Sequence, residues 1–431
     1  MRSPLPLARP GSGIDYELFL DCVHCGLCTS ACPTYLELGT EMDSPRGRIY
    51  LMRGVVDGRI DFDSQVRRHL DLCLDCRACE TACPSGVRYG QLIEPFRMDL
   101  VSTGQTQAMP WWLRLLLFRV MTSARRARWA VAPARLLQRV GVMKLLQRPA
   151  LLRRLPAALR TLLTLLPPLP PRAGPLPEIL PALGPRRARV ALFTGCVNDA
   201  VFHHVNWATA RVLQHNGCEV WTPARQVCCG ALHYHAGLAA PAAQFAARNA
   251  EVFTKDQGQL DAIVVNVAGC GSTLKDYAHV LPTAAGAELA GLVKDVHEFL
   301  ADLGPLKPAH PLPLRAVYHD ACHLCHAQQI RQPPRQLLRL IDGLELVEVA
   351  EPEVCCGAAG SYNLTQPEMA ESLGKRKATH LAAGQPQAVF TANAGCLLQI
   401  RRHLATIGIT PWVAHPMEAL WAAYSGQAWR S

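Results

Sequence analysis

Two cysteine runs with identical spacing constrain this chain more than any other feature of its 431 residues. Each run reads C-x2-C-x2-C-x3-C-P, so three cysteines recur at one interval and a fourth precedes a proline. The runs consist of Cys22, Cys25, Cys28 and Cys32, and of Cys73, Cys76, Cys79 and Cys83. This spacing is typical of thiolates that hold iron–sulfur clusters, because the first three can wrap one corner of a cluster while the proline lets the fourth point elsewhere.

The pairing of the two runs predicts which cysteines share a cluster. In chains with two such runs, three cysteines of each run bind one cluster and the fourth binds the other. The first [4Fe–4S] centre is then held by Cys22, Cys25, Cys28 and Cys83, and the second by Cys32, Cys73, Cys76 and Cys79. A structural zinc site is the alternative for any C-x2-C pair. Two identical runs, each followed by proline, favour iron–sulfur clusters.

The 18 cysteines also bear on the cellular compartment. Residues 1–13 contain no apolar stretch of the signal-peptide kind, and eight cysteines lie in the two runs. We therefore expect metal-bound thiolates in a reducing, cytoplasmic compartment rather than disulfides. No uncharged apolar stretch is long enough to span a membrane, so the sequence predicts no transmembrane helix.

The net charge of +10 is concentrated in one segment. Between residues 105 and 190 there are 16 Lys or Arg against one acid, Glu178, so this part carries +15 and the remainder −5. We expect helices up to Leu166 and then a Pro-rich linker. The helices either pack on the other domains with their arginines in water, or lie on an anionic membrane surface or dock a partner. Nucleic-acid binding is not expected, since no recognised binding motif accompanies the charge.

From residue 189 onward, buried strands alternate with helices, which predicts parallel sheets. The pattern occurs twice, and equivalent cysteines of the two copies lie 126 or 127 residues apart. These cysteines are Cys196, Cys228, Cys229 and Cys270 in the first copy and Cys322, Cys355, Cys356 and Cys396 in the second. Each follows a predicted strand, so the four of one copy should meet at the carboxyl edge of its sheet, where ligand sites of open α/β sheets form.

Each copy contains an adjacent Cys-Cys-Gly triplet. Adjacent cysteines do not readily form a disulfide with each other, yet both can face one metal centre, and the glycine permits close approach of the backbone. We therefore predict that the eight repeated cysteines hold additional clusters or act as redox thiols. The alternative, burial as small apolar residues, suits an isolated cysteine such as Cys218. Nearby histidines, densest at His319, His323 and His326, are more simply interpreted as structural.

These patterns predict an α+β multidomain protein. A mainly helical two-cluster domain of the ferredoxin type occupies residues 1–104, and the basic helical segment with its Pro-rich linker occupies residues 105–188. Two duplicated, Rossmann-like α/β units with parallel sheets follow, at residues 189–312 and 313–431.

This combination resembles a known family. Its members include two of the subunits of heterodisulfide reductase, one subunit of the anaerobic glycerol-3-phosphate dehydrogenase, lactate-utilisation proteins and the iron–sulfur subunits of glycolate oxidase, to which the chain is most similar. The resemblance is carried by residues 73–90, 319–328 and 355–369. It covers nearly the whole chain except residues 105–188, where no diagnostic motif is found.

The resemblance implies a subunit of a glycolate dehydrogenase complex that does not oxidise substrate alone. FAD-containing partner subunits would oxidise glycolate to glyoxylate, and this chain would pass the electrons through its clusters to a quinone-type acceptor. It would be cytoplasmic or peripheral on the inner face of the cell membrane. No G-x-G-x-x-G fingerprint occurs, so we expect no flavin or NAD in this chain. The alternatives are the equivalent subunit of a D-lactate or glycerol-3-phosphate dehydrogenase, and a thiol–disulfide reductase like heterodisulfide reductase.

The repeated units depart from heterodisulfide reductase in one respect. That enzyme binds its unusual clusters through one more cysteine per unit, in a final Cys-x-x-Cys. Here the last position is Thr273 in the first unit and Gln399 in the second. With four thiolates, each unit can hold a cubane, a labile cluster or none.

Overall fold

The architecture is that of a computed structural model. It describes residues 10–427 apart from 107–108, 148, 153, 156–159, 161–162, 170–173 and 255–258. Within these residues, no helix combines the length and the apolar character needed to cross a membrane.

The N-terminal part consists of short helices around the two cysteine runs. The Ser44 side chain caps the helix Pro45–Val56, whose first residue is a proline that loses no hydrogen bond there. Asp63 caps the helix Ser64–Asp71 in the same way. The apolar faces meet in a core that includes Phe19, Met52, Leu92, Ile93 and Phe96. The remaining helices are Glu17–Leu20, Pro33–Leu38, the 3-10 turn Glu41–Asp43, Ala78–Thr81 and Gly90–Ser102.

The basic segment contains a series of short helices. They are Trp111–Leu115, continuing as the π-helical turn Leu116–Val120, then Ala124–Arg139, Val142–Leu146 and Pro149–Leu152. The helix Ala124–Arg139 packs on the first α/β unit, where Ala127 and Val131 enter a shared apolar cluster. Arg128 lies 3.5 Å from the carboxylate of Asp199 in that unit. One face of this helix is thus anchored to the unit.

The first α/β unit contains a five-stranded sheet in the order β1-β3-β2-β4-β5. Its strands are β1 (Ile179–Leu180), β2 (Ala188–Phe193), β3 (Cys218–Trp221), β4 (Ala262–Val265) and β5 (Val293–Asp295). Its helices are Val197–Val201, His203–His215, Ala231–His235, Ala239–Thr254, Ala268–Lys275, Tyr277–Val280, Ala284–Leu292 and Val296–Leu303. Strands β2 to β5 pair in parallel, as predicted.

Strand β1 differs from the prediction, because it pairs antiparallel with β3, with Ile179 opposite Trp221. The stretch predicted to be a Pro-rich linker is therefore an edge strand in part. The physical reason is that an edge strand needs hydrogen-bond donors on one side only, which makes edges compatible with nearby prolines such as Pro181.

The second α/β unit repeats the first. Its strands are β6 (Arg315–Tyr318), β7 (Glu345–Val347), β8 (Ala388–Phe390) and β9 (Trp412–Ala414), all parallel, in the order β7-β6-β8-β9. This order equals β3-β2-β4-β5 of the first sheet. Its helices are the π-helical turn His323–Ala327 and Gln332–Arg339, Tyr362–Thr365, Pro367–Ala383, Ala394–Thr406 and Pro416–Ser425.

The two units share one apolar core. It includes Val190 and Val220 of the first sheet and Ala316 and Phe390 of the second. Across this core, the helix His203–His215 packs on the helix Pro416–Ser425. The two sheets are therefore held against each other by a continuous interior, which fixes the relative positions of the cysteines at their edges.

Candidate metal centres

The two cysteine runs fold into loops with matching backbone conformation. The residue before the second cysteine of each run is left-handed, with φ of 56° at His24 and 53° at Asp75. The residue after it is also left-handed, with φ of 88° at Gly26 and 62° at Arg77. A non-glycine residue in this region costs on the order of 1–3 kcal/mol and is typical of ligand-binding loops. The paired left-handed residues turn each loop so that its cysteines converge.

Each predicted set of four cysteines lines a small cavity. The first cavity is lined by Cys22, Cys25, Cys28 and Cys83, and the second by Cys32, Cys73, Cys76 and Cys79. Cys79, Pro45 and Tyr89 line both cavities, so the two lie side by side. One cysteine of each set comes from the other run, and the assignment of these sets to two clusters stays a prediction.

The chemistry of the second cavity fits an iron–sulfur cluster. Burial raises the pKa of both Cys76 and Cys79 well above the ordinary thiol value, and neighbouring cysteines raise it further. Thiolates placed this way need positive charge nearby to offset their own, which a metal centre supplies. Donors already point at the sulfurs: the Asp75 backbone N–H and the Tyr89 hydroxyl lie 3.4 and 3.6 Å from Cys73 Sγ. Such hydrogen bonds tune cluster potentials.

A buried arginine adds positive charge to the same cavity. Arg48 is 1% exposed, and its Nη1 lies 3.8 Å from Cys32 Sγ. Burial alone would lower the pKa of Arg48, but negative charge on Cys73, Tyr89, Cys32 and Asp43 raises it above its ordinary value. A permanent cation thus faces the thiolates of this cavity.

The four repeated cysteines of the first α/β unit meet at the carboxyl edge of its sheet. Cys196 follows β2 and lies 3.4 Å from Cys228, sulfur to sulfur. Cys270, at the start of the helix after β4, lies 3.3 Å from Cys229. Gly230 (φ 88°) completes the turn, and a Cβ there would lie 3.3 Å from a backbone oxygen of the helix Ala239–Thr254. The glycine therefore permits the close packing that holds the cysteine pair.

The second unit gathers its four cysteines in the same way. The sulfurs of Cys322 and Cys355 are 3.8 Å apart. Ligand atoms of Cys356, Cys396 and His319 lie within 4.8 Å of one another, and all three residues are buried. The sequence pattern favoured a structural role for His319. Its position directly after strand β6, at the edge where the cysteines meet, was the available signal.

Two other cysteines lie outside these groups. Cys218 is fully buried within β3, and burial raises its pKa to about 12. Cys325 is also fully buried, with its thiol 3.8 Å from the backbone oxygen of Cys322. Cys218 thus fits the interpretation as a small apolar core residue.

The second ferredoxin-type cavity lies directly against the second α/β unit. Cys76 belongs to the same buried cluster as Cys322 and Cys355. The Tyr362 hydroxyl donates a hydrogen bond of 2.8 Å to the backbone oxygen of Leu72, just before the second run. The structure therefore brings three thiol groups into a series: the first cavity, the second cavity and the cysteines of the second unit.

A buried ionic network joins the second run to the first α/β unit. The His235 Nδ1 lies 3.0 Å from Glu94 and 3.2 Å from Asp75, and Arg77 pairs with both carboxylates. Burial alone would lower the pKa of His235, but the two carboxylates raise it to about 10. His235 is therefore an imidazolium at neutral pH, and it links the first unit to the loop of the second run.

Comparison with known proteins agrees with this geometry. Residues 19–87 match a family model described as a 4Fe-4S dicluster domain, and residues 190–275 and 316–401 each match one described as a cysteine-rich domain. The chain is therefore an iron–sulfur protein of the dicluster class that carries duplicated cysteine-rich units.

Curated relatives narrow this class. A probable glycolate oxidase iron-sulfur subunit of Bacillus subtilis is 37% identical over 92% of this chain and 91% of its own length. The glycolate oxidase iron-sulfur subunit of Escherichia coli is 34% identical over 93% of both chains. Lactate utilization protein A of Oceanobacillus iheyensis is 29% identical over 54% of this chain and 96% of its own. The chain belongs to the family of glycolate oxidase iron–sulfur subunits, which are electron-transfer subunits of an oxidoreductase.

The His235 network yields a stability prediction. Replacement by glutamine, His235→Gln, leaves two buried carboxylates short of one cation and should lower the free energy of unfolding by ~1–3 kcal/mol. Because the folded pKa of His235 lies above its ordinary value of 6.5, its contribution is full below about pH 6.5 and is lost as the pH rises through about 10. Denaturant unfolding of the metal-loaded chain at several pH values measures this.

Substitution of the exposed His279, as His279→Gln, is the matched control and should change the unfolding free energy little at any pH. A destabilisation by His235→Gln that stays constant between about pH 6 and about pH 10 would contradict the ionic role of His235.

Proposed function

We propose that this chain is the iron–sulfur subunit that collects electrons in a glycolate dehydrogenase (glycolate:acceptor oxidoreductase) complex. The observation that carries the proposal is the series of three neighbouring thiol groups, which supports stepwise electron transfer through one chain. Full-length relatives named glycolate oxidase iron-sulfur subunits support glycolate as the substrate of the complex.

In this proposal, glycolate binds to FAD-containing partner subunits, where oxidation to glyoxylate releases two electrons and two protons. The cysteines would hold the iron–sulfur centres, and Arg48 and the Tyr89 hydroxyl would tune them. The centres would supply one-electron chemistry between the flavin and a quinone-type acceptor. We expect no flavin or NAD in this chain itself. The corresponding subunit of a D-lactate dehydrogenase is the second candidate, because a lactate utilization protein is among the relatives.

The substrate assignment is tested on the complex as it exists. The tagged chain is purified anaerobically from its native cell with the subunits that accompany it, and reduction of a soluble dye is measured with glycolate and with D-lactate. The proposal predicts bound flavin and a kcat/KM for glycolate at least about tenfold above that for D-lactate. A preference for D-lactate would favour the second candidate, and a flavin-free preparation without either activity would contradict both.

We propose the ligand sets of the two ferredoxin-type centres as follows. The first is held by Cys22, Cys25, Cys28 and Cys83, and the second by Cys32, Cys73, Cys76 and Cys79. The two small cavities lined by these sets, and the donors that point at Cys73 and Cys32, support this assignment. The Cys-Cys-Gly cysteines would hold an additional centre or act as redox thiols.

A serine substitution tests the second ligand set. Cys76→Ser should remove or alter one centre, lowering iron content and decreasing electron transfer to the acceptor by at least about tenfold. Iron analysis and EPR spectroscopy of the reduced chain measure this. Cys218→Ser, also a buried cysteine, is the control and should retain both centres. Wild-type iron content and turnover in Cys76→Ser would refute the assignment.

We propose that the basic segment brings the chain to the membrane that contains the quinone. Of the 20 large apolar side chains exposed in the described residues, nine lie between residues 111 and 151, and Trp111 and Trp129 are 77% and 72% exposed. Exposed tryptophans among arginines are typical of helices that lie in the interface of anionic membranes. The same segment packs on the first unit by another face. In this proposal, the packing interpretation therefore holds for one face and the membrane interpretation for the other.

A cavity of about 340 Å³ lies between this segment and the second centre. Pro110 and Leu113, which flank Trp111 and Trp112 in the sequence, line one side of the cavity. Cys73 lines another side. Its walls combine apolar side chains such as Leu113 and Leu232 with hydrogen-bonding groups, among them His235 and His323, which can contact the oxygens of a quinone ring. We propose that the head group of the quinone enters here.

Vesicles containing anionic lipid and a quinone test the membrane proposal with the whole complex. The double variant Trp111→Ser, Trp129→Ser should reduce vesicle binding and quinone reduction by at least about tenfold, with unchanged dye-linked turnover, and binding of the wild type should weaken at high salt. Leu306→Ser, Ile407→Ser removes exposed apolar side chains elsewhere and serves as the control. Equal vesicle binding by both double variants would contradict the proposal.

A further inference from the structure

A buried histidine in the second α/β unit has a ring nitrogen without a protein partner. His319 is fully buried, and its Nδ1 lies 3.1 Å from the backbone oxygen of Pro352, to which it donates. Its Nε2 is buried too, and within the described structure it has no hydrogen-bond partner. An unpaired polar atom in a protein interior costs free energy, which indicates that a further group completes the site.

The position of His319 shows what such a group would be. A ring nitrogen of His319 and the sulfurs of Cys356 and Cys396 lie within 4.8 Å of one another. Imidazole and thiolate together are ligands for zinc and for iron–sulfur centres. A hydrogen bond from the other ring nitrogen to a backbone carbonyl is the usual way in which a protein orients a metal-binding histidine.

The residue at the position of the additional cysteine in heterodisulfide reductase is not available as a ligand. Gln399 is fully buried, and its amide donates to the backbone oxygen of Ala370 at 2.8 Å and accepts from Asn363 at 2.9 Å. Both polar atoms of the Gln399 side chain are therefore occupied by hydrogen bonds within the protein.

We propose that His319 is a metal ligand, and that its Nε2 binds the centre of the second α/β unit together with Cys356 and Cys396. Cys322 and Cys355, 3.8 Å from each other in the same group, would complete the set. On binding, each thiol releases a proton to solvent, while His319 keeps the proton on Nδ1 and contributes the lone pair of Nε2. This proposal does not depend on which substrate the complex oxidises.

The first unit has no counterpart of this histidine. The residue 126 positions earlier is Phe193, which is buried in the core. A centre in the first unit would therefore lack an imidazole at this position. Because replacement of thiolate by imidazole raises the reduction potential of an iron–sulfur centre, the centre next to Cys76 would be the better electron acceptor of the two units. This comparison of the two units as electron acceptors rests on the electron-transfer function proposed above.

The test uses the full-length chain, expressed anaerobically with and without ¹⁵N-labelled histidine. Pulsed EPR of the reduced protein should show a histidine nitrogen coupled to a centre, with a coupling that changes on labelling. His319→Ala should abolish the coupling and lower the metal content below that of the wild type. His319→Cys should restore the metal without the coupling, at a lower potential. His326→Gln replaces another buried histidine of the same edge, and this variant should keep both the metal and the nitrogen coupling.

Metal analysis identifies the ion in the same samples. Loss of iron in His319→Ala supports His319 as a ligand of an iron–sulfur centre. Loss of zinc instead supports His319 as a ligand but overturns the assignment of a high reduction potential. A folded His319→Ala that keeps the wild-type metal content and nitrogen coupling overturns the proposal. Where His319→Ala does not fold, His319→Cys decides, since retained nitrogen coupling in that variant overturns it equally.

Discussion

The structure depends on the cost of gathering thiolates away from water. Four thiolates that converge in a small cavity repel one another, and burial together with the neighbouring cysteines raises the pKa of Cys76 and Cys79 well above the ordinary thiol value. Metal binding by the deprotonated ligands supplies the missing stabilisation and couples cluster assembly to folding. The left-handed conformations of His24, Asp75 and Arg77 add backbone strain to this cost. The N-terminal part thus consists of two cysteine-bearing loops packed on a small helical core of their own.

The remaining domains are arranged around these loops. The second run contacts the second α/β unit through Cys76 and Leu72, and it contacts the first unit through the Asp75 and His235 ion pair. A chain that only stored clusters would not need such contacts on both sides. The parallel sheets share a core, and the second run contacts both units, so the cysteine edges and the second loop are packed together. The arrangement therefore keeps the redox groups at fixed separations, which an electron path requires.

Features that depend on local spacing along the chain can be predicted from this sequence. Features that depend on tertiary contacts cannot. The cysteine intervals indicate the cluster class, and the alternation of buried strands with helices predicts the parallel sheets, because both are local properties of the chain. Strand β1 escapes detection since Ile179 and Leu180 form it only when β3 offers a free edge. His319 looks like any strand-end histidine until the fold brings Cys356 and Cys396 beside it. The exposed and packed faces of the basic helices likewise emerge only from their contacts.

Two cluster sites that lie side by side and exchange their fourth cysteine are central to the proposed electron path. EPR spectroscopy of the fully reduced, isolated chain tests this arrangement most directly. Since Cys79, Pro45 and Tyr89 form walls of both cavities, two reduced centres should interact magnetically and give a split, broadened spectrum that simplifies when only one is reduced. Cys83→Ser should then perturb the centre of the first run, and Cys32→Ser that of the second. Two independent, unsplit signals, or perturbation of each run by its own fourth cysteine, would contradict the exchange.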